Sequence, residues 1–112
     1  MVTYYGEKSM ERVFNSQRQL VRKFGAEQAG AIARRLGQLR AANTLSILGH
    51  LPPLRCHQLK GNRSGQFSVD LRHPYRLIFE PADDPVPVGD DGSIDRSKVT
   101  AVRIVEVVDY HG

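Results

Sequence analysis

Residues 66–80 read Gln66-Phe67-Ser68-Val69-Asp70-Leu71-Arg72-His73-Pro74-Tyr75-Arg76-Leu77-Ile78-Phe79-Glu80. Phe67, Val69 and Leu71 alternate with Ser68, Asp70 and Arg72. Beyond His73-Pro74, Tyr75, Leu77 and Phe79 alternate with Arg76, Ile78 and Glu80. Successive side chains of a strand point to opposite faces, so a period of two on both sides of a proline turn predicts adjacent antiparallel strands. A shorter strand is expected near 55–59, closed by the turn Gly61-Asn62-Arg63-Ser64-Gly65, and another over 99–108.

Upstream of this hairpin the period changes to 3.6. Over 7–24, Met10, Val13, Phe14, Leu20, Val21 and Phe24 recur at helical spacing, with Arg12, Arg18, Arg22 and Lys23 mostly between them. Gly25 then supplies the left-handed residue that stops a helix, and Lys23 suits the dipole of its last turn. A second helix over 26–42 is expected to bury Ala29, Ile32, Ala33, Leu36 and Leu39 and to turn Glu27, Arg34, Arg35, Gln38 and Arg40 outward. So short a connection implies an antiparallel helix pair. Residues 43–53 read as a loop with one helical turn through Leu45, Ile47 and Leu48. Residues 81–98, with Pro81, Pro85, Pro87, Gly89, Gly92 and five aspartates, read as a flexible acidic surface loop. The expected architecture is α+β: a helix pair at the start of the chain packed on one face of a mostly antiparallel sheet of four to five strands.

A chain of 112 residues is one domain, 1–112, with 40% hydrophobic and 25% charged residues. No apolar run reaches the roughly 18–20 residues that span a bilayer, and residues 1–7 lack the basic end and apolar stretch of a signal peptide, so a cytoplasmic protein is expected. The single cysteine, Cys56, permits no internal disulfide and no cysteine-based zinc site. The net charge of +4 is unevenly spread: residues 1–80 hold 13 Lys and Arg against five acids, and residues 81–112 hold three against seven. That asymmetry suits a polyanionic partner and equally a solvated basic surface.

His50, His57, His73 and His111 include no pair at a metal-binding helical spacing. The aspartates lack the alternation of a calcium loop, so neither metal nor cofactor is expected. No Gly-x-Ser-x-Gly turn is present, and Cys56 beside His57 makes no nucleophile pair, because neighbours in a strand face opposite ways. Lys60 with Gly61-Asn62-Arg63-Ser64-Gly65 offers backbone N–H groups and two cations to a phosphate, or forms a plain hairpin turn.

The run His57-Gln58-Leu59-Lys60-Gly61-Asn62-Arg63-Ser64-Gly65-Gln66-Phe67-Ser68-Val69 is followed by Tyr75-Arg76-Leu77-Ile78-Phe79. The chain ends in Val107-Val108-Asp109-Tyr110-His111. In this order the segments resemble the HigB-type toxins, the plasmid maintenance killer family within the RelE/ParE superfamily, over 54–80 and 102–111. Two departures stand out. The family joins its last two strands by a short turn where this chain has the acidic 81–98, and Phe67 and Tyr75 stand where the family often carries Trp.

The resemblance implies a RelE-like fold and the toxin of a type II toxin–antitoxin system. Such a toxin is a ribosome-dependent mRNA interferase that cuts messenger RNA without a metal and is silenced by a HigA-type helix-turn-helix antitoxin. Operator DNA would be reached only through that antitoxin, and no membrane is involved. RNA cleavage by 2′-OH attack needs a base, an acid for the 5′-oxygen and cations for the phosphorane charge. By the same resemblance His57 and His111 are the proton-transfer pair. Lys60 and Arg76 stabilise the phosphate, Tyr110 stacks on or orients a base, Asp109 positions a neighbour, and Arg63 and Arg72 contact RNA. Other readings are a gyrase-directed superfamily toxin that acts by binding, and a non-catalytic RNA- or partner-binding module. The odd separation of His57 and Lys60 requires the lysine to lie past the strand end if both are to serve one site.

Overall fold

The computed structural model describes residues 1–109. Along them run strand β1 (Val2–Tyr5), helices α1 (Lys8–Phe14), α2 (Gln17–Phe24) and α3 (Ala26–Ala41), and strands β2 (His57–Gln58), β3 (Phe67–Asp70), β4 (Tyr75–Pro81) and β5 (Ala101–Asp109). The strands form one sheet in the order β1-β5-β4-β3-β2, antiparallel except that β1 runs parallel to β5. The architecture is α+β, with three helices and a five-stranded, mostly antiparallel sheet among the described residues.

The hairpin follows its alternation. Phe67 pairs with Phe79 and Val69 with Leu77, and all four side chains are fully buried. The two Phe rings stack at 5.8 Å. They join Leu20, Ile32, Leu36, Leu39, Leu45, Val99, Val102 and Ile104 in one core, each such side chain contributing about 1.5–3 kcal/mol through its burial.

The expected helix over 7–24 is two helices. Asn15 and Ser16 interrupt it: Ser16 adopts extended backbone and its Oγ accepts the Gln19 N–H at 3.2 Å, capping α2. The break lets Phe14 and Leu20, six positions apart and out of phase on one straight helix, both reach the core. Phe14 meets Tyr5 and Phe24 edge to face, at 5.9 and 6.1 Å. Gly25 joins α2 to α3 with φ +84° and ψ 161°, backbone that only glycine adopts without strain.

Two further expectations are corrected. Arg35 is buried and Ala33 exposed, the reverse of the sequence reading. Arg35 stands three residues after Ile32 and four before Leu39, hence on the inward stripe of α3. Its guanidinium donates to Asp70 O at 2.6 Å, Pro53 O at 3.3 Å and Gln38 Oε1 at 2.9 Å, so no burial of an unpaired charge results. Strand β1 was not expected at all. Four residues are too few for periodicity to reveal, and what holds them is β5 together with the Met1 ammonium, which donates to the carbonyls of Leu39, Arg40 and Ala42.

Within 81–98, Pro81 belongs to β4 and the rest makes its own turn, with Val88 bridged to Ile94 and Gly89 N–H donating to Ser93 O. Its acids serve the backbone. Asp83 accepts from Thr100 N–H, Thr100 Oγ1 and Ala101 N–H, and Asp95 caps a short 3-10 turn at Ser97. The stretch expected as a flexible surface loop is tied to the core: Ile94 packs against it and the Arg96 guanidinium lies 5.0 Å over the Phe67 ring. No helix among the described residues is long and apolar enough to cross a membrane.

Candidate active site

Strand register decides which side chains meet. Phe67, Val69, Leu77 and Phe79 face the core, so Ser68, Asp70, Arg76, Ile78 and Glu80 face the other side of the sheet. On β5 the pairing steps from Ile78–Glu106 to Phe79–Ile104, and the extra residue Val105 forms a bulge. The bulge keeps both Ile104 and Val107 on the core side and leaves Glu106 and Val108 opposite. His57 pairs with Ser68, which sets it in the row His57–Ser68–Ile78–Glu106 on the face away from the core.

His57 and Arg76 therefore share a face. Two strand spacings and a two-residue offset separate their Cα atoms by about 12 Å. Asp70 pairs with Arg76 across the hairpin and organises the charges beside it. Its Oδ1 lies 3.3 Å from Arg76 Nε and its Oδ2 lies 3.2 Å from Arg55 Nε. Its main chain is held as well, the N–H donating to Leu54 O at 2.8 Å and the carbonyl accepting from Arg35. Arg55, Asp70, His73, Tyr75 and Arg76 line a hollow of about 140 Å³ at the β3–β4 turn.

The other expected residues divide. Lys60 is exposed and lies past the end of β2, immediately before the 3-10 turn Gly61–Arg63, as sharing a site with His57 requires. Arg63 reaches from that turn to Glu106 at 2.7 Å and to Gln66 Oε1 at 3.0 Å, crossing the row in which Ser68 and Ile78 are fully buried. Arg72 is drawn to α3, with Glu27 on its guanidinium at 3.1 Å and the Gln28 amide bonded to its main-chain N–H and carbonyl. Asp109 stands opposite Tyr75, the residue before Arg76. Tyr110 and His111 lie outside the described residues.

Arg55, Asp70, His73 and Tyr75 were not singled out from the sequence as site residues. Asp70 was legible in principle: a turn centred on His73 pairs residues equally distant from it, Asp70 with Arg76. Arg55 gave no such signal. Cys56 is inert where it sits, because burial pushes its thiol up to about 11 against a weaker opposing pull from Arg96. Among the described residues no group of three or more His, Cys, Asp or Glu side chains could hold a metal ion. Compared with known proteins, the chain matches no protein-family model, and no curated protein matches it closely enough to count as a relative.

Proposed function

We propose that this protein is a RelE-like, HigB-type toxin that cleaves messenger RNA on the ribosome and is neutralised by a HigA-type antitoxin. The observation that carries the reading is the shared sheet face of His57 and Arg76, at the end of the sheet where β5 reaches Asp109 opposite Tyr75. By the resemblance His111 is the second imidazole, and two imidazoles with one guanidinium supply what 2′-OH attack requires. One takes the 2′-OH proton as the 2′-oxygen bonds to phosphorus, the other protonates the departing 5′-oxygen, and Arg76 with Lys60 stabilises the phosphorane. Free RNA is cut slowly because the ribosome supplies the alignment.

Induced expression in bacteria tests this. The chain arrests growth and shortens translated messenger RNA, and His57→Ala or His111→Ala lowers cleavage by about 10²–10⁴-fold while circular dichroism remains native. Equal toxicity of both variants, or growth arrest by DNA damage signalling with intact messenger RNA, overturns the assignment.

A further inference from the structure

The hollow at the β3–β4 turn holds more than Arg76. Arg55 adopts φ +47°, a left-handed conformation that residues other than glycine rarely take and that clusters at ligand clamps. The conformation is fixed from both sides: Arg55 N–H donates to Leu51 O at 3.0 Å, and the following Cys56 N–H to Gly49 O at 2.9 Å. The outcome is a guanidinium tied to Asp70 by one edge, with 44% of the side chain still in solvent. Beside it Tyr75, the first residue of β4, is 41% exposed on the wall of the same hollow. Asp70 bonds to both arginines and holds the pair together, so two guanidinium groups stand beside one carboxylate without repelling each other apart.

A half-exposed guanidinium beside an exposed ring matches a phosphate joined to a planar base. A carboxylate would use the arginine but not the ring face. We propose that this hollow binds one nucleotide of single-stranded RNA, with its base stacked on Tyr75 and its phosphate held by Arg55. The site flanks the linkage cut at the His57–Arg76 face, and in that clause alone the proposal rests on the function proposed above.

The test is fluorescence anisotropy of the full chain with a labelled 2′-O-methyl RNA decamer, which cannot be cut by 2′-OH attack. Tyr75→Ala weakens binding about tenfold and Tyr75→Phe retains it, while Arg55→Gln weakens it and flattens the salt dependence by nearly one phosphate contact. Thermal melts of the variants check that each is folded. Equal affinity of Tyr75→Ala and the parent, equal competition by an acidic peptide, or no binding by the parent overturns the proposal. Growth assays run in parallel separate the two readings. A toxic chain whose Tyr75→Ala variant binds RNA undiminished refutes the subsite alone. A harmless chain whose binding is lost in that variant supports the subsite and refutes only the cleavage reading.

Discussion

Ser68 illustrates how much one hydroxyl can report. It is fully buried beside His57 and Ile78, and its Oγ has no hydrogen-bond partner among the described residues. A buried hydroxyl without a partner costs about 1–3 kcal/mol, so Ser68→Ala raises stability by about 1 kcal/mol and the melting temperature by about 4 °C. Calorimetry checks this, and a lower melting temperature would show that the hydroxyl is bonded. At this scale the sequence reading singled out His57, Lys60 and Arg76 through an ordered pattern of residues. It passed over Asp70, whose importance lies in four contacts, to Leu54, Arg35, Arg55 and Arg76, three of which come from distant parts of the chain.

Among the elements, β5 depends on a residue outside it. Asp83 caps the start of β5 through Thr100 and Ala101, and those bonds outweigh the opposing effect of burial to hold its carboxyl below the ordinary value of 3.8. A depressed carboxylate stabilises the fold fully above 3.8 and loses that effect as pH falls through the lower folded value. Asp83→Ala therefore costs about 1 kcal/mol at pH 7, and the difference from the parent shrinks below pH 3.8. Urea titrations across that range measure it; a difference independent of pH would disprove the cap. Helix existence was legible from apolar spacing, and the division at Ser16 was not. Apolar spacing is helical on each side of the break and hides the change of phase between Phe14 and Leu20, and the cap shows only when Ser16 Oγ is seen on Gln19.

Over the whole molecule, helix and sheet are pinned together by Arg35 as well as by the apolar core. Burial lowers its pKa, Arg34 adds to that and Asp70 opposes it, and the guanidinium satisfies carbonyls of Asp70 and Pro53. Arg35→Ala leaves those acceptors unpaired and removes packing, at about 2–3 kcal/mol, and Arg35→Lys does not restore it because the ammonium lacks the planar fork. Denaturant titration decides, and rescue by lysine would reduce the contact to plain charge. By itself the sequence determined the α+β class, the β3–β4 hairpin and its apolar face, because periods of two and 3.6 are properties of neighbouring residues. Only the tertiary structure decided the parallel seat of β1, the inward turn of Arg35, and the meeting of Arg55, Asp70 and Tyr75. The seat of β1, the distant carbonyls that let Arg35 stay buried, and that meeting depend on register and on chain folding between residues far apart in sequence, where no local pattern carries the information.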